Sequence, residues 1–278
     1  MKEKIIDSHS HLNFKAFDQD REEVIQRTRD SGIVCINVGT KFETSKKAVQ
    51  MAEQHEGMFA AIGLHPIHIK NDSVKLRMDE SEGGFTPSGE ELDEKLYEEL
   101  SKSKRVVAIG EIGLDYYYKP KTTAKLESFK NLQKDIFIRQ VAIAEKLHLP
   151  LIIHCRMAHK DLIDSMQEYK TIQAVVHCFT GNLEEMEQYL ALGYYIGFNG
   201  IITFDKTGRS ENVVKNLPLE FMILETDAPY LAPEPYRGKR NEPSYTKYTA
   251  AKIAEWKGID IGEVAARTTE NARKLFRI

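Results

Sequence analysis

Short apolar runs rich in β-branched residues alternate along this chain with longer stretches whose apolar positions recur at helical spacing. The strand-like runs fall at residues 5–8, 34–38, 59–62, 106–109, 151–154, 174–177, 195–198 and 221–224. An amphipathic stretch follows each one, the order expected of repeated βα units around a parallel sheet. Eight such units predict a closed (β/α)8 barrel, a TIM barrel. Helix starts are marked by Ser88 with Glu91 three residues on, and by Asn182 with Glu185, both patterns of an N-cap backed by an acid. Beyond the eighth strand, residues 244–257 and 261–276 read as two closing helices, so an extra C-terminal helix is expected. Residues 79–91, rich in Gly, Ser, Pro and acids, read as a flexible loop.

Composition narrows the picture. At 278 residues and 41% hydrophobic content, the chain suits one barrel domain spanning residues 1–278. No apolar run approaches the ~18 residues a bilayer span needs, and Met1-Lys2-Glu3-Lys4 leads straight into Ile5-Ile6 without a signal-peptide core. Cys35, Cys155 and Cys178 are too few and too irregularly spaced for a disulfide scaffold. A soluble, cytoplasmic protein is expected, with no membrane association and no evident obligate protein partner. The net charge of −3 and pI near 6.3 exclude a global basic field, so any contact with nucleic acid must be local.

The ends of the predicted strands carry the chemistry. His9 and His11 close the first strand one residue apart, and alternate strand residues share a side, so both imidazoles can reach one ion. Glu111 closes the fourth strand, His154 the fifth, His177 the sixth and Asp227 the eighth. In a barrel these carboxyl ends converge on the face where active sites are built. Four imidazoles and two carboxylates can fill two adjacent metal sites if one carboxylate bridges. His9, His11, Glu111 and Asp227 would hold the first ion, and Glu111, His154 and His177 the second. A water between two divalent ions would lose a proton near neutral pH, giving a hydroxide nucleophile, with Asp227 placed as general base. Imidazole-rich ligation suits Zn²⁺, Mn²⁺, Co²⁺ or Ni²⁺, and the carboxylates also admit Mg²⁺. Cys155 and Cys178, each directly after a ligand, should point away toward the helices as packing residues. His55 and His148 fall near helix ends as surface or capping residues, whereas His65, just past the third strand, faces the mouth as a substrate contact.

Longer blocks carry a family resemblance. They are His9-Ser10-His11, Gly63-Leu64-His65-Pro66, the Gly-Glu-Ile-Gly-Leu-Asp-Tyr run at 110–116, His177-Cys178-Phe179-Thr180-Gly181, the Glu-Thr-Asp-Ala-Pro-Tyr-Leu run at 225–231 and the Arg-Gly-Lys-Arg-Asn-Glu-Pro run at 237–243. The chain resembles TatD-type metal-dependent deoxyribonucleases over nearly its whole length. The resemblance implies a TIM-barrel metallohydrolase of the amidohydrolase type, with divalent metals at the six positions above. It further implies action on DNA, often as a 3′-5′ exonuclease on single-stranded ends, with Arg156, Arg237 and Arg240 contacting substrate phosphate. Two loops depart from the family pattern. One is the acidic stretch at about 71–91. The other follows Tyr116-Tyr117-Tyr118 and carries Lys119, Lys121, Lys125 and Lys130 before the next helix resumes. The second reads either as a stacking, phosphate-neutralising strand contact or as an ordinary basic helix.

Two other functions fit the same residues. A metal-dependent carboxyl-ester or amide hydrolase, such as a lactonase or aminoacyl-tRNA deacylase, would use the same nucleophile on a carbonyl. Many barrels of that type bridge their metals with a carboxylated lysine on the fourth strand. Here Glu111 takes that place and the strand has no lysine, which favours phosphodiester hydrolysis. A noncatalytic binding barrel would show a broken ligand set, and this set is complete.

Overall fold

The computed structural model describes residues 5–71, 81–82 and 89–278. Eight parallel strands pair in chain order: β1 (Ile5–Ser10), β2 (Ile33–Val38), β3 (Met58–Ile62), β4 (Val106–Asp115), β5 (Leu151–Arg156), β6 (Ala174–Val176), β7 (Tyr195–Phe198) and β8 (Met222–Leu224). The connecting helices are α1 (Arg21–Asp30), α2 (Phe42–Gln54), α3 (Glu94–Leu100), α4 (Thr123–Leu147), α5 (His159–Met166), α6 (Leu183–Ala191) and α7 (Arg209–Asn216). After β8 come α8 (Thr246–Lys257) and α9 (Ile261–Phe276), the expected doubling. The architecture is a nearly closed (β/α)8 TIM barrel.

Strand alternation sorts the core into two layers. Ile6, Ile36, Ile152, Val175 and Ile223 gather in an inner cluster with Ala272, Leu275 and Phe276 of α9, whereas Leu151, Ile153, Ala174 and Val176 join the layer between strands and helices. The extra C-terminal helix thus packs its last turn onto the barrel interior. His154 and His177 each stand two residues beyond an inner core residue, Ile152 and Val175, and so continue the inner face to the barrel mouth.

The seam between β1 and β8 closes through the future site. A single parallel bridge joins Ser10 and Ala228. Asp227 N donates to the His9 carbonyl at 2.8 Å, and His11 N to the Ala228 carbonyl at 2.7 Å. Buried Asp7 accepts from Thr226 N at 2.9 Å and from Thr226 Oγ1 at 2.5 Å. Burial pushes the Asp7 carboxyl up to about 8, against the opposing effect of these bonds.

Two expectations about local structure change. The acid-backed cap at Asn182 is present, with reciprocal bonds to Glu185 of 3.0 and 2.8 Å. The start expected at Ser88 is displaced: α3 begins at Glu94, and Asp93 caps it by accepting from Lys95 N at 3.1 Å. Glu90 instead bridges to Ile69 as extended chain, and the Asx cap at Asp93 supersedes the weaker acid pattern. Ser88 lies outside the described residues, as does most of the loop at 79–91.

Two glutamines on α4 substitute for peptide groups. Gln140 accepts from Leu64 N at 2.7 Å and donates to Leu64 O at 3.0 Å; Gln133 pairs the same way with Asp115, at 2.9 and 3.0 Å. Gln140→Ala would strip two buried backbone groups of their partners, so its expected cost is about 2–4 kcal/mol. Urea unfolding checks this, and a loss under about 0.5 kcal/mol would show that water replaces the amide.

Candidate metal centre

At the carboxyl ends of the strands lies a cavity of about 550 Å³, lined by His11, His65, Glu111, His154, His177 and Asp227 among others. Plain strand geometry does not deliver all of these side chains. The β1–β2 register shifts between Asp7 and Ser10, and the β4–β5 register shifts between Ile109 and Ile112. Both irregularities fall on site residues, His9 and Glu111, and such shifts re-aim side chains that regular pleating would point elsewhere. β4 continues to Asp115, so Glu111 stands within the strand and does not close it. β8 stops at Leu224, and Asp227 comes three residues later with φ of 58°.

Glu111 is the hub. Its carboxylate oxygens lie 2.9 Å from His154 Nδ1, 2.9 Å from His177 Nε2, 3.3 Å from His65 Nε2, 3.4 Å from His9 Nε2 and 3.9 Å from His11 Nε2. Burial alone would raise its pKa, but the imidazoles of His65, His177 and His9 outweigh that and hold it well below the usual carboxylate range. Asp227 Oδ1 lies 3.3 Å from His11 Nε2 and 3.8 Å from His9 Nε2. The facing nitrogens of His9 and His11 are 3.1 Å apart, and those of His154 and His177 are 3.4 Å apart.

Ring nitrogens on the far side reveal the tautomers. His11 Nδ1 lies 2.9 Å from the Val38 carbonyl and must donate to it, which leaves Nε2 as a lone pair facing the cluster. His154 Nε2 sits 3.1 Å from Asp115 Oδ2, and His177 Nδ1 is 3.5 Å from Glu225 Oε1. Each of these carboxylates can take the outer N–H and turn the inner lone pair toward Glu111. His65 is opposite in sense. Its Nδ1 accepts from Ile67 N at 3.0 Å, so the neutral ring carries its proton on Nε2 and offers a donor. Burial pushes His65 down to about 4, which keeps it neutral.

Lone pairs packed this closely repel unless a cation sits among them. A tetrahedral zinc site with bonds of ~2.0–2.1 Å places its donors roughly 3.3 Å apart, close to the separations here. Among the described residues three groups have ligand atoms within 4.8 Å of one another: His9, His11 and Asp227; His65, Glu111 and His154; and His9, His177 and Glu225. On the far side of these rings His9 Nδ1, His177 Nδ1 and Glu225 Oε2 are buried without hydrogen bonds, and the 3.5 Å approach of His177 to Glu225 is an ion-pair contact only. The residues present fit divalent metal.

Comparison with known proteins agrees. A family model described as TatD related DNase matches residues 6–277. The chain belongs to the TatD family. It is 38% identical over 277 residues to the uncharacterized metal-dependent hydrolase YabD of Bacillus subtilis, covering 99% of both chains. It is 32% identical over 276 residues to the 3′-5′ ssDNA/RNA exonuclease TatD of Shigella flexneri, covering 96% of this chain and 97% of that one. Among solved structures, a TatD homologue from Escherichia coli K12 superposes with a TM-score of 0.84 at 28% identity over the whole of both chains. This is a TatD-family metal-dependent hydrolase.

Within this TatD barrel the other expected site residues take different positions. Arg156 lines the cavity, its guanidinium 3.6 Å above the Tyr117 ring. Arg237 lies 4.4 Å over Phe204, in a groove that shares Thr180 and Ile201 with the cavity. Arg240 is already committed: it grips Asp20 with bonds of 2.8 and 2.6 Å and donates to the Ala16 carbonyl at 2.8 Å, which makes it a loop anchor. Cys155 also borders the cavity, but its Sγ turns to the helix side as expected, 3.3 Å from His159 Nδ1 and 3.6 Å from the Tyr189 hydroxyl. Cys178 does not. Its strand has ended at Val176, its φ is 46°, and it lines the cavity. Burial pushes that thiol up to about 12, so it offers no thiolate. His55 and His148 are the C-caps of α2 and α4. α4 begins at Thr123, so Lys125 and Lys130 are helical and only Lys119 and Lys121 lie in the loop before it; Lys130 pairs with Asp161 at 3.6 Å.

Asp115, Glu225 and Glu82 were not singled out from sequence. The first two are acids in the quoted motif blocks, standing beside ligands, a signal that could have been used. Glu82, from the acidic loop, lines the cavity, bonds to Thr40 and lies 2.8 Å from His68, and nothing local in the sequence points to that. The cluster predicts that Zn²⁺ or Mn²⁺ at a hundredfold excess over its dissociation constant will stabilise the fold by about 2.7 kcal/mol. Thermal melting with and without chelator measures it. The gain should largely vanish in Glu111→Gln, and an unchanged wild-type midpoint would contradict the metal assignment.

Proposed function

We propose that this protein hydrolyses phosphodiester bonds of DNA, working from the 3′ end of single strands in the cytoplasm with two divalent ions, zinc the first choice. The observation that carries this reading is the meeting of two imidazole clusters on one shared carboxylate, under a cavity whose rim holds an arginine with no carboxylate partner among the described residues. His9, His11 and Asp227 would hold one ion and His154 and His177 the other, with Glu111 within reach of both. Three free cysteines suit a reducing compartment, and no helix of the described residues is long and apolar enough to cross a membrane.

Bound divalent ions supply Lewis acidity and lower the pKa of water at this site. The protein's own groups do the rest. Asp227 keeps a carboxylate oxygen at the cluster's open side, with its side chain 14% exposed, and can take a proton from the attacking water. His65 presents Nε2–H toward the same space and can donate to a nonbridging phosphate oxygen. Arg156 supplies positive charge where the phosphorane develops negative charge. The groove beyond Thr180, about 490 Å³ with Lys206, Arg209 and Arg237, continues the path for neighbouring phosphates. Arg240, locked on Asp20, has no part in it.

The name of the Shigella relative supports the substrate class and extends it to RNA. A carboxyl-ester or amide hydrolase is the competing reading. β4 carries no lysine that could be carboxylated to bridge two ions, and the unpaired arginine suits an anion better than a neutral ester. The experiment compares turnover of 3′-labelled single-stranded DNA, aminoacyl-tRNA and a panel of esters and lactones by the metal-loaded protein. DNA cleavage should be lost on chelation and fall by about two orders of magnitude or more in His154→Ala. Rapid ester turnover with inert DNA would defeat the proposal.

A further inference from the structure

Among the described residues few large apolar side chains are exposed, and two of them, Tyr117 and Tyr118, meet beside Arg156 at the cavity, with a third, Met157, next to Arg156 in sequence. Tyr117 is 50% exposed, Tyr118 41% and Met157 63%. Tyr117 and Tyr118 meet edge to face with ring centroids 4.8 Å apart. Arg156, whose neighbour in sequence is Met157, lays its guanidinium 3.6 Å from the Tyr117 centroid and 6.0 Å from that of Tyr118. A planar cation stacked on a half-exposed ring, with no carboxylate partner among the described residues, keeps its outer face and its charge for something else.

The cluster is tied to the metal centre. Asp115 Oδ2 holds His154 Nε2 at 3.1 Å, and the other oxygen of the same carboxylate accepts from Tyr117 N at 2.8 Å. Tyr116 N donates to the Arg156 carbonyl at 2.9 Å. Arg156 lies two residues beyond His154 on β5, so the two share a face about one strand repeat apart, ~7 Å. One carboxylate thereby sets both a metal-facing imidazole and the backbone that carries the ring.

We propose that Tyr117 and Arg156, flanked by Tyr118, form a stacking platform for one unpaired nucleobase adjoining the phosphate that sits at the metal centre. This rests on the nucleic-acid reading above and assigns residues to its single-strand preference. In a duplex each interior base has both faces covered by its neighbours, so only an unpaired, unstacked base can offer a face to the platform. Exposed Lys119, Lys121 and Lys125 lie on the adjoining loop and the first turn of α4, where they meet the flanking phosphates. Because every base has a π-face, the platform selects strandedness and not sequence.

The test uses the full-length, metal-loaded protein with Tyr117→Ala and Tyr117→Phe. The probes are a 3′-labelled oligothymidine strand, the same strand abasic at its terminal positions, and a strand ending in fluorescent aminopurine. Tyr117→Ala should raise KM on the oligothymidine roughly tenfold or more, with the loss in KM and not in kcat. Tyr117→Phe should match wild type. The effect should shrink to under about twofold on the abasic strand, and aminopurine fluorescence should be quenched by wild type but not by Tyr117→Ala. Wild-type cleavage of DNA with no change in Tyr117→Ala, or an equal loss on the abasic strand, would overturn the platform and leave the nuclease reading standing. Quenched binding without cleavage would uphold the platform and overturn the nuclease. A wild type that neither binds nor quenches overturns both.

Discussion

One buried carboxylate, Glu111, organises this molecule. It is buried, within 4 Å of five imidazoles, and an ion in such a place is costly unless opposite charge accompanies it. The imidazoles cannot all supply that charge. Burial holds His65 neutral and, with His177, pushes His9 down, whereas for His11, His154 and His177 the neighbouring carboxylates outweigh burial and push the imidazoles up. Divalent cations between the lone pairs would satisfy Glu111 and its neighbours together. The register shifts in β1 and β4 make sense in this light, since they deliver His9 and Glu111 to a point that regular strands would miss.

Barrel closure depends on the same region. β1 and β8 meet through the Ser10–Ala228 bridge and the bonds of Asp7 to Thr226, so the seam and the Asp227–His11 contact form together. A fold that failed to close here would separate Asp227 from His9 and His11. On the opposite side, Asp115 binds His154 and the Tyr117 backbone at once and is itself gripped by Gln133 of α4. Positioning of the ligands, the rim and the outer helix is therefore shared by a few carboxylates and amides instead of being assembled piece by piece.

Much of this was legible in sequence because hydrophobic periodicity and strand-end placement are local signals. All eight strands, the two closing helices and the mouth positions of His11, His154 and His177 follow from period and topology, whereas His9 and Glu111 reach the same point through register shifts and Asp227 through a turn beyond β8. What escaped has physical causes. Alternation assigns Cys178 to the outside, but β6 ends two residues earlier and the chain turns. Spacing cannot show that Arg240 has found Asp20, more than two hundred residues away in sequence, or that Glu82 reaches Thr40 and His68 across the mouth. The tautomer of His65 depends on a backbone N–H two residues on, which only coordinates reveal.

A Glu111 carboxylate shared between two ions would join the two imidazole clusters into one centre. Anomalous diffraction at the zinc edge, on crystals grown with Zn²⁺, addresses it most directly. Two peaks about 3.5–4 Å apart are expected, one against His9, His11 and Asp227, the other against His154 and His177, with Glu111 touching both. A single peak, or two peaks of which Glu111 contacts only one, would contradict the sharing.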